Sequence, residues 1–261
     1  MRTTTPPTSD VTRTQAALAV SLAGVGKRFT ADGAPVLEGI DLAIAPGEFV
    51  CLLGASGCGK PTLLPTIAGL EPATTGTVQV GGPGAALMFQ EPALFPWLTA
   101  GANIELALRL RGVPASARKV RAAELLELVR LRGADDKRVH ELSGGMRQRV
   151  ALARSLAQER QVLLMDEPFA ALDAITRDLL HDELERIWSE TGRTIVFVTH
   201  NVREAVRLGQ RVLLMSSRPG RIVREWRVEV TGQRRIGAPE VAALADEITN
   251  DLRTEIRRHA A

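Results

Sequence analysis

Gly54-Ala-Ser-Gly-Cys-Gly-Lys60 is the stretch on which the fold turns. An apolar run, Phe49-Val-Cys-Leu-Leu53, precedes it, and Thr62-Leu-Leu-Pro-Thr-Ile-Ala68 follows, ending at Gly69. Strand, glycine-rich turn and helix in that order are the setting of a phosphate-binding P-loop. The glycines let backbone N–H groups turn inward around an anion, and the helix N-terminus adds the positive end of its dipole. Lys60 would reach the β- and γ-phosphates of a nucleotide. The glycine–lysine spacing alone turns up by chance; the strand before it and the helix after it make a nucleotide site.

Two prolines oppose that reading locally. A P-loop continues with Ser or Thr, whose hydroxyl binds Mg²⁺. Here that position is Pro61, which has neither a hydroxyl nor a backbone N–H, so a metal ligand and a phosphate donor go together. Pro61 is also expected to push Lys60 out of the helical conformation. Pro65 falls one turn further on, where its ring should clash with the Pro61 carbonyl at a cost of roughly 3 kcal/mol.

Working outward, the 261 residues are enough for one domain, or one domain plus a subdomain. Charged residues make up 24% and hydrophobic ones 45%, the proportions of an ordinary globular protein. A net charge of +3 is compatible with nucleotides or an anionic membrane surface and too weak to argue nucleic-acid binding. The two cysteines, Cys51 and Cys58, have neither metal-ligand spacing nor a disulfide framework, which favours a reduced cytosolic setting. No apolar run approaches the ~20 residues needed to span a bilayer. The N-terminus has no apolar core of the signal-peptide kind.

Residues 1–18 are rich in Thr and Pro and read as a disordered tail before a domain over 19–261. Ala19–Phe29 and Val36–Ile44 read as strands around the turn at Ala31–Pro35; Thr77–Val80 and Ala85–Phe89 read as two more. From Thr99 to Ala157 the apolar period becomes helical. Buried strands at Val162–Met165 and Thr194–Val198 then flank an amphipathic helix from Leu172 to about Glu190. Arg211–Met215 and Arg221–Val230 read as strands, and Pro239–Arg258 as a closing helix. Strands alternating with helices argue a parallel α/β sheet, with the helical middle third inserted.

Three further stretches carry chemistry. Val162-Leu-Leu-Met-Asp-Glu-Pro168 is an apolar strand ending in two carboxylates. Asp166 at a buried strand end can hold Mg²⁺ through water, and Glu167 can polarise an attacking water. Without the P-loop, an acidic strand-to-loop corner would explain both. Leu142-Ser-Gly-Gly-Met-Arg-Gln-Arg149 opens a helix with Ser143 placed as N-cap, and the Gly144 and Gly145 amides make a second anion site with it. A plain capped helix explains Ser143 and leaves the glycine pair unexplained. Thr194-Ile-Val-Phe-Val-Thr-His200 is another buried strand with a polar side chain at its end, where a lone His is more often structural.

In this order the stretches resemble the ATPase subunit of ABC transporters, over about residues 20–230. The resemblance implies a P-loop NTPase (RecA-like) α/β core, a helical subdomain over about 93–158, an N-terminal antiparallel β region and a C-terminal helix at about 238–258. It implies that Phe29 stacks on adenine and that Gly54, Ala55, Ser56, Gly57, Cys58, Gly59, Lys60, Pro61 and Thr62 form the Walker A loop around ATP. It further implies that Gln90 is the Q-loop glutamine, a catalytic residue and a metal ligand with Asp166. Ser143, Gly144 and Gly145 are then the signature, Asp173 the D-loop residue, Glu167 the catalytic glutamate and His200 the switch histidine. Met146 and Asn201 depart from commoner residues without consequence; Pro61 departs with one.

The text of Met88–Thr99, Asp166–Ala174 and Ser216-Ser-Arg-Pro-Gly220 is similar to bacterial importers of the nitrate, sulfonate and taurine type. That implies ATP and Mg²⁺ as cofactors, a homodimer of ATPase subunits, and transmembrane permease subunits fed by a periplasmic or lipoprotein solute-binding protein. Nucleic acid is not expected as a partner, and the expected place is the cytoplasmic face of the inner membrane, held peripherally. Phe95 and Trp97 lie just past Gln90, where such subunits meet the permease; as core of the helical subdomain they would be equally explained. Pro61 leaves a second reading, a structural subunit that binds nucleotide and hydrolyses it poorly. A DNA-repair or translation ATPase of the same family would want a long coiled-coil insertion or a basic linker, and neither is in the pattern.

Overall fold

The computed structural model describes residues 18–55, 57–229 and 239–260, with side chains as far as Arg258. Most of the expected N-terminal tail, Ser56 and Val230 therefore lie outside the described residues. In chain order come β1 (Val20–Lys27), β2 (Leu37–Ile44), β3 (Phe49–Gly54), α1 (Lys60–Ile67), β4 (Thr75–Val80) and β5 (Ala85–Met88). Three helices follow, α2 (Ala100–Leu110), α3 (Ala115–Leu128) and α4 (Gly144–Leu156). The chain then returns through β6 (Val162–Asp166), α5 (Ala174–Thr191), β7 (Thr194–Val198), α6 (Val202–Leu208), β8 (Arg211–Met215), β9 (Ile222–Arg227) and α7 (Pro239–Ala260).

Six strands form one sheet in the order β5-β6-β7-β3-β8-β9, parallel except for the last. Its central strands are unbroken apolar runs because both faces are covered. Along β3, Phe49, Cys51 and Leu53 pack into the core shared with α2–α7, while Val50 and Leu52 pack toward α1 and the small sheet. β7 divides the same way, Ile195 and Phe197 to one side and Val196 and Val198 to the other. That period of two is strand geometry written in burial. Phe197, fully buried between Phe49 and Phe169, is a position where truncation to Ala would cost about 3–5 kcal/mol. A separate antiparallel sheet, β2-β1-β4, carries the N-terminal strands.

Three local expectations change. Lys60 is the first residue of α1 despite the proline after it, because the first helical turn has no intrahelical use for the amide that Pro61 lacks. The helix also runs on across Pro65 to Ile67, with the Thr66 hydroxyl donating to the Thr62 carbonyl at 2.8 Å. The helix thus runs unbroken across both prolines. The expected helix from Leu172 begins instead at Ala174, and α6 was not foreseen at all.

The sheet order makes β3, β6 and β7 neighbours, so their carboxyl ends, Gly54, Asp166 and Val198, lie along one edge. Ligands of open parallel sheets bind outside that edge.

Candidate functional site

At the end of β3 the loop has two glycines where a side chain would not fit. A Cβ on Gly54 would lie 2.6 Å from the Cys58 Sγ, and one on Gly59 would lie 2.7 Å from the Leu37 Cδ2, with φ at 100° besides. Lys60, 4% exposed, folds back over this loop. Its Nζ donates to the Gly54 carbonyl at 2.7 Å and the Ala55 carbonyl at 3.1 Å, with Cys58 Sγ at 3.6 Å. A buried ammonium needs acceptors, and its own loop supplies them. Gly57 turns with φ at 81°, and the Arg218 guanidinium donates to its carbonyl at 3.2 Å. Pro61 stands exposed on the first turn of α1 and Thr62 is half-buried. Ser56 lies outside the described residues.

The acids come from the end of β6. Burial pushes the Asp166 carboxyl above its ordinary range; Glu167 beside it pushes the same way, and the Lys60 ammonium pulls it partly back. Glu167 sits at φ 42°, its amide donating to the Val198 carbonyl at 3.0 Å across to β7. Its Oε2 lies 2.9 Å from His200 Nδ1. Lys60, Asp166, Glu167 and His200, spread over 140 residues of sequence, are thereby gathered at one edge of the sheet.

The remaining expected residues have partners outside this group. Gln90 is exposed just past β5; the Gln148 side-chain amide donates to its carbonyl at 2.9 Å, and Arg154 donates to those of Pro92 and Ala93 at 2.8 and 2.7 Å. Ser143 caps α4, accepting from the Met146 amide at 3.3 Å. Gly144 lies beside Leu172, just before α5, and Gly145 packs against α5 itself, where a Cβ would meet the Thr176 Cγ2 at 2.6 Å. Asp173 caps α5 by accepting from the Thr176 amide at 3.0 Å, a bond that lowers its carboxyl pKa. Phe29 is 64% exposed, with the Lys27 ammonium 5.2 Å from its ring centre.

A family model described as ABC transporter matches residues 37–170. The chain belongs to the ABC transporter family. The taurine import ATP-binding protein TauB of Burkholderia pseudomallei is 46% identical over 217 residues, 80% of this chain and 84% of that protein. The aliphatic sulfonates import ATP-binding protein SsuB of Bacillus subtilis is 43% identical, covering 90% and 94%. The nitrate import ATP-binding protein NrtD of Synechocystis is 44% identical, covering 88% and 91%. Among solved structures, the ATP-binding cassette MJ0796, in a dimeric post-hydrolysis state bound to ADP and Pi, superposes with a TM-score of 0.72 at 32% identity. That likeness covers 81% of this chain and 99% of MJ0796.

Two features bear on what an ABC cassette of this sequence can hold. The Lys60 ammonium, held by two loop carbonyls, is a cation suited to a phosphate-bearing ligand. Among the described residues no group of three or more His, Cys, Asp or Glu gathers as a metal cage. Mg²⁺ is ordinarily held by one or two carboxylates together with substrate phosphates, and Asp166 is a carboxylate within the field of Lys60. Residues missed in the sequence are Gln148 and Arg154, which hold the Gln90 loop by its carbonyls, and a buried His181–Glu204 pair behind His200. The spacing Asn201-Val-Arg-Glu204, a cap residue with Glu three on, was the available signal for α6 and that pair.

Proposed function

We propose that this chain is the ATP-binding subunit of an ABC importer, coupling ATP binding and hydrolysis to uptake of a small anion such as nitrate, an aliphatic sulfonate or taurine. The observation that carries the reading is the meeting of Lys60, Asp166, Glu167 and His200 at the edge of β3, β6 and β7. Lys60 would exchange its carbonyl partners for the β- and γ-phosphates, with the amides of residues 54–60 and Thr62 around them. Asp166 and Gln90 would hold Mg²⁺, which supplies charge neutralisation at the phosphate oxygens. Glu167 would orient and polarise the water, with His200 fixing its carboxylate and facing the γ-phosphate. Phe29, exposed and beside Lys27, is available to stack on adenine.

Ser143, Gly144 and Gly145 supply a second anion site that one phosphate loop leaves unused, which supports a homodimer sharing ATP between copies, with Asp173 near the shared face. The dimeric state named for MJ0796 agrees with that. The exposed Phe95 and Trp97, 5.4 Å apart between ring centres, would meet permease subunits, which a solute-binding protein would supply. No helix among the described residues is long and apolar enough to cross a membrane; attachment at the cytoplasmic face would come through the permease. The test is Glu167→Gln in a Pro61→Ser background. At saturating Mg-ATP it should lose turnover and elute as a dimer; a protein that stays monomeric would refute the shared site.

A further inference from the structure

His200 is exposed, its side chain retaining 66% of its free surface, yet its Nδ1 is held 2.9 Å from Glu167. The residue before it explains how. Thr199 is 2% exposed; its amide donates to the Leu52 carbonyl of β3 at 3.2 Å. Its hydroxyl accepts from the Asn201 amide at 3.0 Å and donates to Glu204 Oε2. The other oxygen of Glu204 lies 2.5 Å from Nε2 of His181, which is 1% exposed on α5. Nδ1 of that ring faces the Arg207 guanidinium at 3.3 Å. A guanidinium only donates, so Nδ1 accepts and Nε2 is the atom left to donate to Glu204. Arg207 is itself held by Asp178 at 3.1 Å and Asp182 at 2.5 Å. Every member of this buried chain is paired, and breaking one link would strand another polar group away from water.

We infer that Thr199, Glu204 and His181 form a buried brace that fixes the His200 loop to α5 and so holds His200 against Glu167. They are positioning residues for hydrolysis, and the inference rests on the ATPase reading above. α5 is also the helix that Asp173 caps, so the brace joins the His200 loop to the element carrying that cap. Nothing in the brace needs to touch nucleotide; its effect is on the orientation of the imidazole.

The test uses paired substitutions, made in the Pro61→Ser background so that turnover can be read, and that protein is the parent. Thr199→Val keeps the shape and loses the hydroxyl, whereas Thr199→Ser keeps the hydroxyl. Thr199→Val should lower kcat about tenfold, with KM for Mg-ATP within about twofold, a change equivalent to ~1.4 kcal/mol at the transition state. Thr199→Ser should stay within about twofold of the parent, since its hydrogen bonds survive. From the α5 side, His181→Gln retains a donor toward Glu204 and should be tolerated, whereas His181→Leu should behave like Thr199→Val; this pair decides the matter if the valine variant does not fold. A second readout is independent of turnover. The chain has 4 histidines, so the ring ¹⁵N signal of His200, assigned by its loss in His200→Gln, can be followed directly. Thr199→Val should move it toward a free imidazole and Thr199→Ser should not. Equal loss in both members of a pair, a rise in KM, or an unmoved His200 signal overturns the brace. Absence of turnover in the Pro61→Ser parent would instead count against the ATPase reading, and the ¹⁵N comparison would still decide the brace.

Discussion

Replacing Pro61 with serine should raise Mg-ATP turnover by about 100-fold or more, and the structure makes the reasoning concrete. Pro61 is the second residue of α1 and exposed, and the first turn is closed by the Thr62 and Leu63 amides on the Gly59 carbonyl at 2.9 Å each. Lys60 is already helical, so serine enters without moving the loop. It restores an amide that can face phosphate and a hydroxyl that can bind Mg²⁺. Thr62 cannot stand in, because one residue further along a helix points about 100° away. A hydrogen bond to a charged group contributes ~1.5–3 kcal/mol, and two such interactions exceed the ~2.7 kcal/mol that corresponds to 100-fold. Pro61→Ala separates the terms: it returns the amide alone and should recover about tenfold. Steady-state phosphate release measures the rates, and ATP affinity with Mg²⁺ against EDTA isolates the hydroxyl, since Pro61→Ser should tighten Mg-ATP more than metal-free ATP. Turnover of the unaltered chain within a few-fold of Pro61→Ser would show that neither group matters here.

Two predictions concern the fold around the site. Gly145→Ala should lower Tm, because its methyl would lie 2.6 Å from Thr176 Cγ2 and overpacking costs about 1–3 kcal/mol. Adding Thr176→Ser removes that methyl and should recover most of the loss; additive effects in the double variant would refute the contact. The Glu225 carboxyl is held below its ordinary range by the Arg211 guanidinium, which hydrogen-bonds both its oxygens at 2.9 Å. A lowered folded pKa means this pair stabilises the fold above the ordinary carboxylate range and loses that contribution as pH falls through the folded value. Between about pH 7 and pH 3, Glu225→Gln should therefore show a shallower fall in Tm than the parent, and parallel curves would refute it.

What the sequence disclosed and what it withheld divide along physical lines. β3, β6 and β7 are buried on both faces, so their composition alone marks them as strands of a covered parallel sheet. Ser143 could be recognised as a cap because capping chemistry is local, and the structure places it there. α6 could not be read from periodicity: it is 7 residues long and buried on five of them, so no polar face contrasts with an apolar one. The expectation for Lys60 failed for a different reason. A preference of the residue before proline is small, and a helix start that needs no amide at Pro61, together with carbonyl partners for a buried ammonium, outweighs it.

The pair Asp166-Glu167 shows where residue types stop being informative. Two consecutive residues of an extended strand send their side chains to opposite faces, so adjacent acids at a strand end would ordinarily be divided between the two sides of the sheet. Here the backbone turns at Glu167, whose φ of 42° is uncommon for a residue with a side chain. The bond from its amide to the Val198 carbonyl holds that turn. Both carboxylates consequently stay near the same edge, Asp166 within the field of Lys60 and Glu167 against His200. Glutamate has no preference for left-handed backbone, so no propensity could have announced the turn. Strain of this sort persists where the surroundings over-determine it and clusters at working sites, and here those surroundings are the β6–β7 pairing and the loop that carries His200. Two adjacent letters are thus placed differently, one carboxylate within the field of Lys60 and the other against His200, by a backbone angle that the neighbouring strand helps to hold.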